Sequence, residues 1–228
     1  MSDELDQLEL PAFAAPPIGA ALESELASIA KVTMRRPLRQ LAILVVLSLV
    51  YATGLVVVLA TRGDMHDLPM GWIAGAAVGW LFGFVGPSYL ALVPRKGSVT
   101  PRWQPAAFAA VIASIGFVSL GLVIHPMGDS SVVYGWAQFE RGHTCLEVGL
   151  ATALVPVVVG AIFLRGVLPV GSRWIAAALG AGGGCLGGLV LHLHCDIADG
   201  LHVGIIHGGV VVVAALLSAA IVPRASNA

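Results

Sequence analysis

Apolar residues fall along this chain in six long runs, separated by short polar stretches, after an opening segment at 1–40 that is polar or proline-broken in its first half. The first run, Leu41–Thr61, is 21 residues without a charge. At about 1.5 Å per residue, a helix of that length crosses the roughly 30 Å hydrocarbon core of a bilayer. Five more runs read the same way, at 71–93, 105–124, 145–164, 174–191 and 203–222. Backbone groups have no water to bond in lipid, so each run is predicted to be helical. The pattern predicts an all-α polytopic membrane protein. Its six-helix transmembrane bundle occupies 41–222, a short N-terminal helical segment lies at 1–40, and a tail at 223–228.

The opening segment divides in two. Residues 1–30 carry Asp3, Glu4, Asp6, Glu9, Glu23 and Glu25 and no Lys or Arg, and Pro11, Pro16 and Pro17 break the first half. That composition predicts a flexible acidic tail. From Ala20 on, Leu22, Leu26 and Ile29 recur at helical spacing. Two readings stand: a surface helix leading into the membrane, or a short helix that docks in a partner's groove through Leu22, Glu25, Leu26 and Ile29.

Charge sets the orientation. Lys31, Arg35, Arg36, Arg39, Arg95, Lys96, Arg102, Arg165, Arg173 and Arg224 fall on one side of the six spans, and only Arg62 and Arg141 on the other. Cytoplasmic loops carry the excess of Lys and Arg, which predicts cytoplasmic N- and C-termini in a bacterial inner membrane. Composition agrees: 57% of the 228 residues are hydrophobic and 11% charged. Soluble domains are nearer a quarter charged. A net charge of −1 gives no basic field for direct nucleic-acid binding, and three cysteines make no disulfide framework. No cleavable signal peptide is expected at the acidic N-terminus. Glycines recur at 75, 79 and 83, at 180, 184 and 188, and at 204 and 208. Such stripes predict close helix packing and little room for a water-filled pore.

Candidate chemistry gathers on the external side. His66, His125, His143, His192, His194 and His202 lie in or at the edges of the external loops, and His207 about a turn inside the sixth span. Cys145 opens the fourth span and Cys195 follows the fifth. The fourth and fifth spans are neighbours in an antiparallel hairpin, so the external ends that carry Cys145 and Cys195 meet, and the 192–202 connection brings His202 to the same place. Thiolate and imidazole together suit copper(I) or zinc(II); two thiols outside the cytoplasm could also pair as a disulfide. The candidate metal or redox sensing residues are His143, Cys145, His192, His194, Cys195, His202 and His207. The bland alternatives are interfacial histidines and a structural disulfide. Asp196, Asp199 and Glu147 are candidate outer partners or ligands, with Glu147 equally a cap in the first turn of the fourth span. Cys185, within GGGCLGG, reads as packing. Neither a serine–base pair nor paired acids fall within the spans, which argues against a protease. A membrane metalloenzyme or haem protein and a small transporter are the rival classes; the second lacks a midplane charge.

Three stretches carry a family resemblance: SELASIAKVTMRRPLRQL running into the first span, HTCLEVGLATALVPVVVGAIF in the fourth, and LHLHCDIADGLHVGIIHGGVVVVAALL across the turn from fifth to sixth. With them the chain resembles the NrsF-like anti-sigma factors, a group of six-span bacterial inner-membrane proteins; light- or oxidant-responsive regulators of the myxobacterial CarR type are a second candidate identity. Family members carry a Cys opening the fourth span and a His-Cys pair ending the fifth, matched here by Cys145, His194 and Cys195. His192, His202, His207 and the longer acidic tail depart from that pattern. The resemblance implies a non-enzymatic regulator that holds an extracytoplasmic-function sigma factor through residues 1–38. It would release the factor when a metal, an oxidant or a light-derived oxidant acts at the outer face.

Overall fold

In the computed structural model the described residues are 19, 35–94, 97, 99–124, 126, 136–165 and 172–226, with the backbone alone for 136–141 and 225–226. The chain divides into two units, 1–35 and 36–228. Leu22, Glu25, Leu26 and Ile29 lie outside the described residues, as does His125.

Among the described residues, the second unit holds six α-helices: α1 (Pro37–Leu59), α2 (Met70–Leu92), α3 (Trp103–Val123), α4 (Trp136–Leu164), α5 (Ser172–His194) and α6 (Gly208–Ser226), with a π-helical turn at His202–His207 leading into the last. All six are long and apolar enough to cross a membrane, the turn and α6 together forming the sixth span. The all-α six-span architecture expected from the hydrophobic pattern is therefore present. Most bounds match within about four residues, the usual uncertainty of helix ends. The exception is α4, which starts at Trp136, nine residues before the apolar run.

Consecutive spans alternate in direction, which gives the bundle two ends. One carries Arg102, Arg165, Arg173 and Arg224 and is called here the arginine end; the other, with Cys145 and the π-helical turn, is the histidine end.

The bundle is built around α5. Every residue from Ile175 to His192 is buried, and α5 touches all five other helices. Its composition explains how five neighbours fit. A Cβ on Gly184 would lie 2.5 Å from the Cα of Val211 in α6, and one on Gly182 2.6 Å from Ser88 Oγ in α2. Gly180 lies against the Ala214 carbonyl of α6, Gly187 against the Gly149 carbonyl of α4, and Gly188 against the Trp80 ring of α2. Without side chains at these positions, backbones approach closely enough for dispersion contact, which drives helix association in lipid. The glycines at 204 and 208 do the same for the sixth span, against Leu122 and Val118 of α3.

The expected stripe on α2 is different. Gly83 packs against Phe117 and Cys185, but a Cβ at Gly75 or Gly79 would meet nothing within 4 Å. Position 75 faces outward because α2 turns its Ile73, Trp80, Phe84 and Ser88 face to the bundle. The bulky exposed residues, among them Val57, Val58, Phe82, Phe108 and Leu216, lie on the flanks where lipid replaces water.

Candidate functional site

The histidine end is assembled by one unusual element. Five residues in an α-helix make about 1.4 turns, so His202 and His207 would point apart. Here the turn between them is π-helical, with the Gly208 N–H bonded to the Val203 carbonyl five residues back. That wider winding puts residues five apart about one turn from each other. The two imidazoles meet edge to face, ring centres 5.0 Å apart. The turn opens on Asp199, whose Oδ1 accepts from the His202 N–H at 2.9 Å.

Two thiols complete the cluster. Cys195 follows α5, its N–H bonded to the Leu191 carbonyl at 2.7 Å, and its Sγ lies 3.6 Å from Cys145 Sγ of α4 and 3.4 Å from His202 Nε2. One ligand atom from each of Cys145, Cys195, His202 and His207 falls within 4.8 Å of every other. Both cysteines are free thiols. The hydrogen bond with Cys145, and then burial, hold the Cys195 thiol well above the ordinary thiol range. His202 and His207 are 2% and 1% exposed. The Nδ1 of His202 and both ring nitrogens of His207 find no partner. Buried polar nitrogens without partners cost about 1–3 kcal/mol each, so the arrangement is one that a ligand would relieve. A donor set of two thiols and two imidazoles is that of zinc or copper(I).

Three other candidates sit elsewhere, each with one ring nitrogen engaged. His192 donates from Nε2 to the Ile73 carbonyl of α2 at 3.1 Å and packs against Trp72. His194 donates from Nδ1 to the Ala60 carbonyl just past α1 at 2.8 Å. His143 is exposed, 3.3 Å from the Thr144 hydroxyl. Glu147 is not a helix cap, because α4 starts eleven residues earlier. Cys185 is wholly buried at the Gly83 contact, as the packing reading expects.

Sequence reasoning missed Arg62. Its N–H bonds to the Leu193 carbonyl at 3.0 Å, its guanidinium reaches the His192 carbonyl at 3.3 Å and pairs with Asp64 at 2.6 and 2.8 Å. That pairing holds the Asp64 carboxyl below its usual range. The available signal was an arginine on the arginine-poor side of the spans, two residues from an aspartate.

No curated protein matches the chain, and no solved structure does. The family model described as negative regulator of sigma F matches residues 26–226, from within the segment before α1 to the last turn of α6. On a match of that extent, the chain belongs to the NrsF family, negative regulators of sigma F.

Proposed function

We propose that this protein is a membrane-bound anti-sigma factor with a sensor at its histidine end. The arginine end and both termini lie in the cytoplasm of a bacterial inner membrane. Residues 1–40 hold an extracytoplasmic-function sigma factor away from RNA polymerase, with Leu22, Glu25, Leu26 and Ile29 on the docking face. A metal, an oxidant or a light-derived oxidant changes the state of Cys145 and Cys195, and the bundle lets the sigma factor go. The protein performs no chemical turnover.

The observation that carries the regulator reading is the family match over 26–226. The sensor reading rests on Cys145 and Cys195, which come from different parts of the bundle and lie 3.6 Å apart. A shift from 1:99 to 99:1 takes about 5.5 kcal/mol of differential affinity. A change of covalent or metal bonding at two thiols is on that scale; a change of surface charge is not. A transporter reading gains no support. Deep in the bundle the buried polar residues among those described are the hydroxyls Ser48, Ser88, Thr152 and Ser218, and α5 fills the centre.

The test is retention of the partner. Full-length protein in native membranes should co-purify a sigma factor, and Leu26→Asp with Ile29→Asp should lose it while the spans still insert. Recovery of no sigma factor with the intact chain would remove this reading.

A further inference from the structure

The geometry points to a closed, four-coordinate site for one zinc(II) ion, with Cys145, Cys195, His202 and His207 as the complete ligand set. Zinc bonds of about 2.3 Å to sulfur and about 2.0–2.1 Å to nitrogen give a tetrahedron with edges near 3.8 Å between sulfurs and about 3.5 Å between sulfur and nitrogen. The Cys145–Cys195 and Cys195–His202 separations are 3.6 and 3.4 Å. No pair in the cluster exceeds 4.8 Å, so the ligands close by little more than about 1 Å around the ion.

The π-helical turn gains a reason. It is the element that lets His207, from inside the sixth span, share a face with His202. Rare π turns concentrate at functional sites, and this one carries two buried imidazoles whose free nitrogens have no protein partner.

Charge selects the ion. On binding, each thiol loses its proton to water and the imidazoles bind neutral. A divalent ion with two thiolates then leaves a neutral centre. Copper(I) in the same set would leave one net negative charge in a place where Cys195, His202 and His207 are all buried, which low dielectric penalises. The ion joins α4, the end of α5 and the start of the sixth span, so its presence fixes their relative positions.

The assignment deepens the sensor reading, yet it is measured without a sigma factor, so the two fail separately. Full-length protein purified in detergent from zinc-replete cells is expected to hold one zinc per chain, with X-ray absorption showing two sulfur and two nitrogen neighbours. His207→Gln and Cys145→Ser should weaken zinc binding by more than the roughly 10–100-fold that loss of an outer partner costs. His143→Gln should leave it unchanged. The absorption measurement on the unaltered chain needs no variant to fold. Finding copper(I) in place of zinc, a Cys145–Cys195 disulfide in protein isolated anaerobically, or full zinc affinity in His207→Gln would each overturn the assignment.

Discussion

Arg62 is 4% exposed at the edge of a membrane-spanning bundle, and a buried guanidinium needs a counter-charge. Asp64 supplies it through two hydrogen bonds, with the Trp72 ring 5.7 Å from the guanidinium carbon. Removing one partner of such a pair leaves the other unsatisfied. Asp64→Asn is therefore expected to lower stability by about 1 kcal/mol or more at pH 7, a drop of roughly 2–4 °C in Tm for a chain of this size. The pH dependence has a definite sign. The folded pKa of Asp64 lies below its ordinary value of 3.8, so its contribution is complete above that value and fades as pH falls through the folded pKa. Thermal unfolding of the two proteins in detergent should thus show a gap that is constant from pH 7 to about 5 and closes below about 4. A gap that persists in acid would mean that the introduced amide perturbs packing and the ion pair contributes little. The neighbouring Ala60 tells a related story. It holds φ at 65°, a region costly for any residue with a Cβ, and its carbonyl accepts from His194.

Among the elements, α5 shows what the sequence did and did not disclose. Its span was visible as an apolar run, and its glycines signalled close packing. Reading Gly180, Gly184 and Gly188 as one stripe understated the case, because Gly182, Gly183 and Gly187 meet neighbours on other sides. A helix that is small on every face is one surrounded on every face. The π-helical turn was not legible, since HVGIIH continues a helical apolar pattern and the backbone winding depends on contacts from α3 and α4. For the same reason the seven residues singled out by type and side of the membrane did not sort themselves. Cys145 and Cys195 were expected to meet from hairpin topology, with His202 brought to them by the 192–202 connection, but only side-chain geometry adds His207 to the cluster and sets His192 and His194 apart, at backbone carbonyls. Packing at the glycines makes a contrast that can be measured. Gly184→Val places a side chain 2.5 Å from the Val211 backbone, and should cost about 3 kcal/mol or more because backbone cannot yield as a side-chain tip can. Gly75→Ala meets open space and should stabilise by up to about 1 kcal/mol through helix propensity alone. Denaturant titration of both in detergent checks the pair; equal effects would show that α5 is not held as tightly as its contacts imply.

At the scale of the whole molecule, the question is how a change at the histidine end could reach the segment before α1. The cluster joins α4, the end of α5 and the sixth span, but none of its four ligands lies on α1. The residues just before Cys195 make that link. His194 and Leu193 bond to Ala60 and Arg62 past the end of α1, and His192 to Ile73 in α2. Movement of the α5 terminus would therefore pull on α1, which begins at Pro37 and continues the proposed sigma-binding segment along the chain. Coupling along this route requires that the α5 terminus take two positions, one with each state of the cluster. It makes a demand that a purely structural role for His194 does not. His194→Ala should leave sigma-factor retention and metal content as they are in the unaltered protein, yet reduce the signal-induced release, read by a sigma-dependent reporter, by about fivefold or more. His194→Gln, which keeps a donor for the Ala60 carbonyl, should restore much of the response. A His194→Ala protein that releases its partner normally would place transmission in the sixth span, through the Gly180 and Gly184 contacts, and take α1 out of the route.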